Sequence, residues 1–250
     1  MQNIVVVGAS HAGISFIDNI RKSGFGGSIT LVDRQKGGPM ERPPLSKQFL
    51  LETEDKLDPI FLLKRAKWYK DNDIILKLGV EALEINLGTD LLTLSNGDSL
   101  TFDKLILATG ARPRFLPGCD NLVNAFVLRQ PDDAIAIRET ARKARSAVII
   151  GGGYIGLEVA ASFRQMGLEV CVIEAAERLL ARVASPPVAN FLLNLHQKHG
   201  VSIYTGVSVE ELVRDQQKFT AAKLTDGSII DGDMLVIGIG VTPDSLLAHK

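Results

Sequence analysis

One pattern occurs twice in this chain and leaves few folds open to it. The first copy reads NIVVVGASHAGISFIDNIRKSG and continues into SITLVDRQ; the second reads SAVIIGGGYIGLEVAASFRQMG and continues into LEVCVIEAA. Each copy has a short β-branched run, a glycine turn, an amphipathic helix closed by glycine, and a second β-rich run ending in an acid. That order describes a βαβ unit opening a parallel sheet. Two copies predict an α/β chain with two Rossmann-like, doubly wound dinucleotide-binding domains.

The second copy carries Gly151-x-Gly153-x-x-Gly156, with Glu174 eighteen positions beyond the last glycine. Gly151 makes the tight turn, Gly153 lets backbone N–H groups approach a pyrophosphate, and Gly156 lets helix and strand pack closely. The helix N-terminus then faces the phosphates with the positive end of its dipole. Gly152, Tyr154 and Ile155 complete the turn as cofactor-binding candidates. Glu174 stands where a carboxylate accepts both ribose hydroxyls and repels a 2′-phosphate, which favours NADH; Arg178, four residues on, is a cation that works against that preference. The first copy reads Gly8-x-Ser10-x-x-Gly13, with Asp33 twenty positions on. Ser10 either crowds a pyrophosphate or donates its hydroxyl to one.

Composition narrows the function classes. Hydrophobic residues make up 46%, charged residues 23%, and the formal net charge is −1, so nothing electrostatic points to nucleic acid or an anionic membrane. No apolar run approaches the roughly 18 residues of a membrane helix. The start, MQNIVVVGAS, enters a strand without the basic region of a signal peptide. Cys119 and Cys171 lie far apart in no metal or dithiol spacing, as expected of free thiols in a cytoplasmic protein. His196 and His199 lack the carboxylate or cysteine companions of a metal site.

Between the copies, short strands with turn signals run from Gly79 to Thr109, with Asn96-Gly97 as a hairpin turn. They predict a small antiparallel layer and a strand returning to the sheet at Lys104–Ala108, ending at Thr109 and Gly110. The Pro- and Arg-rich stretch ARPRFLPG marks a domain boundary. The second copy continues through a helix near Pro187–Lys198, strand VSIYTG, a hairpin, and DMLVIGIG. That last strand ends in Gly238, Ile239 and Gly240, at the edge where doubly wound sheets bind ligands. In ERPPLSKQFL, the two prolines predict a stiff extended connector over residues 42–45, with Ser46 capping a short helix from Lys47.

ERPPLSKQFL, TGARPR, GGGYIGLEVAA, RLLARV and GIGVTPD together resemble the FAD-dependent ferredoxin–NAD reductases of bacterial oxygenase systems, within the pyridine nucleotide-disulfide oxidoreductase fold. The resemblance runs from the first strand to the last residue. It implies a three-layer ββα fold with an FAD domain interrupted by an NAD domain. Residues 1–112 would be the FAD part and 113–240 the NAD domain. Residues 241–250 would begin the return to the FAD domain, with the remainder of that domain and the family's C-terminal interface domain expected to be absent from this chain.

It also implies roles. Lys47 would lie beside the flavin N5, paired with Glu158 from the other domain's helix. Ala12 and Gly13 would touch the FAD pyrophosphate, and Asp33 or Arg34 the adenosine ribose. Arg42 would lie on the flavin side, Val80 would contact adenine by its backbone, and Arg129 would reach the flavin from the interdomain link. The chain departs from the family at Ser10, where glycine is usual. It departs also at Asp33, one position early for the ribose acid, and at Asp244, where asparagine is usual. Disulfide reductases of this fold place a cysteine pair ahead of the helix at PPLSK; this chain has none there, so electrons would leave the flavin singly, to an iron–sulfur ferredoxin or a rubredoxin. The competing readings are a nucleotide-binding module without turnover and a flavin subunit of NADH-oxidase or nitrite-reductase type.

Overall fold

The computed structural model describes residues 2–52 and 59–249. The chain divides into two compact units, Met1–Arg42 with Lys56–Arg112 and Pro243–Lys250, and Pro43–Asp55 with Pro113–Thr242.

The first unit is built on a parallel sheet in the order Ile74–Leu78, Ser28–Asp33, Asn3–Val7, Lys104–Leu107. Its central strands are apolar on both faces, as a parallel sheet covered on two sides requires. Ile4, Val6, Ile29 and Leu31 pack with Ile14 and Ile17 of the helix His11–Lys22. On the opposite face, Val5, Val7 and Val32 meet Leu92 and Leu94 of a three-stranded antiparallel sheet, Ala82–Asn86, Leu91–Leu94 and Ser99–Thr101. Helix, parallel sheet and antiparallel sheet form the expected three layers. The strand Ile74–Leu78 leaves little trace in the sequence because only Ile74 is buried and its neighbours alternate poorly.

Tyr69, on the short helix Ala66–Asp71, is 4% exposed, and its hydroxyl finds no hydrogen-bond partner among the described residues. Burial pushes its ionisation well above the ordinary phenol range. The ring packs edge-on against Trp68, with centroids 5.1 Å apart, a contact that a phenyl ring would keep. Tyr69→Phe is therefore expected to raise stability by about 1 kcal/mol, or roughly 2–4 °C in melting temperature, read by calorimetry. An unchanged or lower melting temperature would contradict this.

The second unit repeats the scheme with one more strand, in the order Val201–Thr205, Glu169–Glu174, Ser146–Ile150, Met234–Ile237, Ala125–Val127. The helix Tyr154–Gln165 buries Leu157, Val159, Ala160 and Phe163. Val209–Asp215, Lys218–Leu224 and Ile229–Asp231 form the antiparallel layer, and the helix Pro186–Lys198 lies where the sequence places it. Two strands of this unit are not evident in the sequence. Ala125–Val127 is three residues long, and Val209–Asp215 is mostly exposed and broken by register shifts. The extra strand shelters its neighbour: Met234–Ile237 is buried throughout, whereas Lys104–Leu107 is partly exposed.

The helix Pro131–Ala141 is a further element that the sequence pattern does not announce. Its start is set by Pro131, whose fixed φ suits a first helical position, and by Asp133, whose Oδ2 accepts the backbone N–H groups of Arg129 and Gln130 at 2.8 and 2.7 Å. Those bonds hold the backbone of Arg129, the residue that the resemblance assigns to the flavin.

Candidate functional site

The two glycine turns are built alike. Gly8 and Gly151 both adopt φ of +110°, and a Cβ at either would collide with a backbone carbonyl, of Ala108 and Gly238 respectively. A Cβ on Gly13 would strike the Gly8 carbonyl oxygen, and one on Gly156 that of Gly151. The middle position is different. Ser10 has φ −103° and Gly153 φ −84°, both ordinary for any residue, and open space surrounds Gly153. Serine is thus tolerated by the backbone at this position, and its hydroxyl lies 3.5 Å from His11 Nδ1.

The acids close the turns from the second strand. Asp33 Oδ2 accepts the Ala9 N–H at 2.5 Å and Oδ1 the Gln35 N–H at 2.7 Å. Glu174 repeats this, with Oε2 accepting from Gly152 at 2.6 Å and Oε1 from Ala176 at 2.8 Å. Each oxygen has a second lone pair with which to meet a ribose hydroxyl. In the first unit, Val80 N–H donates to the Asp33 carbonyl at 3.0 Å, and the Thr109 hydroxyl and Gly110 carbonyl bond to the Asp244 backbone at 2.6 and 2.9 Å. Arg34 pairs with the Asp244 carboxylate at 3.2 Å, and Arg112 pairs with it at 2.9 Å. Ala12, beside Gly13, lies in the first turn of the helix His11–Lys22, and Arg42 ends the first stretch of this unit.

In the second unit the turn opens onto a cavity of about 860 Å³, lined by Gly151 to Ile155, Glu174 and Gly238 to Val241 among others. Ligand pockets of roughly 300–1,000 Å³ are usual, and this cavity lies in the upper part of that range. Arg178 is spent elsewhere, donating to the carbonyls of Ala181 and Ala184, each at 2.8 Å. The cation that complicates the preference for NADH is thus occupied in shaping a loop.

Lys47 and Glu158 meet. Lys47 Nζ lies 2.6 Å from Glu158 Oε2, and both residues belong to the second unit, although Lys47 sits inside the stretch read as the FAD part. The segment carrying Lys47 is pinned there by three side chains, two of which the sequence gives no reason to single out. The buried Arg138 donates to the Phe49 carbonyl at 3.0 Å, Arg142 to that of Glu52 at 3.2 Å, and the Ser162 hydroxyl to that of Ser46 at 2.7 Å. Ser162 alone leaves a signal, since it lies one helical turn beyond Glu158 and so shares its face.

The connector itself corrects the expectation. Pro43–Ser46 is a turn of 3-10 helix rather than part of an extended connector. Proline's fixed φ suits the first positions of a helical turn, where the missing N–H groups have no partner to lose. Ser46 does not cap the following helix, Gln48–Leu51; Lys47 holds the capping position without a side-chain capping bond, and the Ser46 hydroxyl goes to Glu158 instead. Both cysteines are buried free thiols, and burial pushes that of Cys171 up to about 12.

Two glycine cradles, each closed by an acid and followed by a covered parallel sheet, define a protein class built to hold two dinucleotides. The particular family emerges from comparison. Residues 2–250 match the pyridine nucleotide-disulphide oxidoreductase family, and the chain belongs to it. The cofactors of the family are FAD and NAD(H). Among solved structures, putidaredoxin reductase in its covalent complex with putidaredoxin is similar at 38% identity and a TM-score of 0.92, over 99% of this chain and 60% of that one. A ferredoxin reductase for the CYP199A2 system from Rhodopseudomonas palustris gives 32% and 0.94, over 100% and 61%. A NAD-dependent persulfide reductase from A. fulgidus gives 28% and 0.91, over 99% and 47%. The chain thus spans 60% and 61% of the length of the first two. No helix among the described residues is long and apolar enough to cross a membrane.

Proposed function

We propose that this chain carries the dinucleotide-handling part of an NADH-dependent flavoprotein reductase, which takes hydride from NADH onto FAD and delivers single electrons to a small ferredoxin or rubredoxin-type protein. The observation that carries the reading is the Lys47–Glu158 pair, 2.6 Å apart and pinned by a segment of prolines and carbonyl bonds. As a stabilising contact the pair has little value. Lys47 is 46% and Glu158 32% exposed, and such pairs contribute about 0–1 kcal/mol. Its worth lies in placing a cation.

When bound, FAD supplies the redox chemistry, accepting hydride at N5 and releasing electrons one at a time. The chain's own residues bind and orient. The Gly8–Gly13 turn presents backbone N–H groups to the FAD pyrophosphate, and the Gly151–Gly156 turn does so for NADH. Glu174 takes the ribose hydroxyls of NADH. Lys47 holds its ammonium where negative charge grows as hydride arrives, and Glu158 sets where that ammonium rests. With two buried cysteines and none beside Ser46, the chain offers no dithiol through which electrons could leave. The resemblance to reductases of ferredoxin-type proteins supports the choice of partner.

Stopped-flow mixing of the flavin-loaded chain with NADH should bleach the flavin band near about 450 nm. NADH binding without bleaching would leave a nucleotide-binding module in place of a reductase. Cofactor choice is a separate prediction. Glu174→Gln removes the charge that repels a 2′-phosphate but keeps an acceptor for the Gly152 N–H. The ratio of NADPH to NADH dissociation constants, measured by calorimetry, should narrow about tenfold, since about 1.4 kcal/mol of like-charge repulsion is a factor of ten.

A further inference from the structure

Ser46 is 5% exposed and ends the 3-10 turn that begins at Pro43. Two bonds tie it to one face of the helix Tyr154–Gln165. Its hydroxyl donates to Glu158 Oε2 at 2.5 Å, and its carbonyl accepts the Ser162 hydroxyl at 2.7 Å. Lys47 Nζ approaches that same oxygen at 2.6 Å and also donates to the Pro43 carbonyl at 3.1 Å. The two donors on Oε2 are unequal in character. The hydroxyl is short, buried and carried on a turn fixed by two prolines. The ammonium swings on a flexible four-carbon stem that is 46% exposed. A hydrogen bond from a fixed donor to a charged acceptor outranks a half-exposed ion pair. It is the serine that anchors the carboxylate.

We propose that Ser46 is a positioning residue for hydride transfer: its hydroxyl holds the Glu158 carboxylate back, so that Lys47 can turn toward developing negative charge without its counter-ion trailing it. This role presupposes the reductase reading and adds to it an electrostatic requirement. A cation stabilises charge growing on a nearby ring only while its own anion stays away. A carboxylate free to track the ammonium would cancel it and add repulsion. Ser46 prevents this by occupying Oε2 from the backbone side, where Ser162 in turn holds the serine's own carbonyl.

The test uses the flavin-loaded full chain and saturating NADH. Wild type must bleach first; failure there overturns the reductase reading, and is told apart from a loss confined to the variants. Ser46→Ala should then lower the limiting rate of flavin reduction about tenfold while the NADH dissociation constant stays within about twofold. Ser162→Ala, which keeps the hydroxyl–carboxylate bond but removes a tether of the Ser46 carbonyl, should lower the rate clearly less than Ser46→Ala does. In a Glu158→Ala background, Ser46→Ala should cost nothing further. A second readout needs no flavin. In carboxyl-labelled protein, the Glu158 carbon-13 resonance, assigned by its loss in Glu158→Ala, should be single and sharp in wild type and in Lys47→Met. It should be broadened or displaced in Ser46→Ala. Should Ser46→Ala fail to fold, Ser46→Cys, nearly the same shape with a weaker donor, carries both measurements. A wild-type rate with an unmoved resonance would overturn the proposal. So would an equal loss in Ser162→Ala, or an undiminished loss in the Glu158→Ala background.

Discussion

Lys47→Met is expected to slow flavin reduction by NADH by about two orders of magnitude, while the melting temperature should stay within about 2 °C of wild type. The split arises from where the ammonium's energy is spent. In the resting protein its pair with Glu158 is half exposed, and removing such a pair costs about 0–1 kcal/mol. In the proposed reaction, the ammonium would face charge that did not exist before transfer. Removing one preorganised donor from such a place costs about 2.7–4 kcal/mol, or a hundredfold or more in rate. Methionine keeps the length and most of the apolar stem, so the turn Pro43–Ser46 and its bonds to Ser162 and Glu158 are undisturbed. The measurement is single-turnover stopped flow beside a thermal melt. An unchanged reduction rate would remove Lys47 from the chemistry, and a collapse in melting temperature would make it structural.

The second large effect belongs to Gly156. A Cβ there would occupy the space of the Gly151 carbonyl oxygen, a backbone atom that cannot swing aside. Gly156→Ala must therefore push the helix Tyr154–Gln165 away from the strand Ser146–Ile150, opening a core that includes Leu157, Val159, Ala160 and Phe163. Overpacking of this kind costs about 1–3 kcal/mol, and a backbone clash falls at the upper end or beyond. NADH affinity should fall at least about tenfold, because the N–H groups proposed to meet the pyrophosphate ride on the displaced turn. Gly153→Ala is the control. Open space and φ −84° predict unchanged stability there, so any loss of NADH binding would report the ligand's approach alone. Urea melts and calorimetry on the two variants separate the causes; equal destabilisation would refute the distinction.

The repeat makes the fold legible because it is a backbone requirement written in residue types that cannot be exchanged: glycine at positive φ, glycine under a carbonyl, an acid at a strand end. The antiparallel layer before Thr109 is legible from alternation and the Asn96-Gly97 turn. The hidden strands are short or exposed. Ala125–Val127 is stabilised as a strand by its neighbour Met234–Ile237, not by its own three residues. Val209–Asp215 owes its form to pairing with Lys218–Leu224, a tertiary contact that local propensity does not encode. The prolines of residues 43 and 44 suggest extension through the donors they lack, yet the helical φ they impose decides the outcome. The meeting of Lys47 with Glu158 is not legible from pattern at all and comes only through family resemblance. Ser46, adjacent to Lys47, misleads because a serine before a helix reads first as a cap.

The matched construction of the two cradles points to duplication of one ancestral half, and it makes mutational experience portable between them. Gly8 and Gly151 share a dihedral angle and a carbonyl neighbour, and Asp33 and Glu174 close the same pair of amide bonds. A substitution's fate in one half should forecast its fate at the counterpart. Divergence is cheap at the third position of the turn, where an ordinary φ admits serine in one half and glycine in the other, and where the halves could part in the cofactor each prefers.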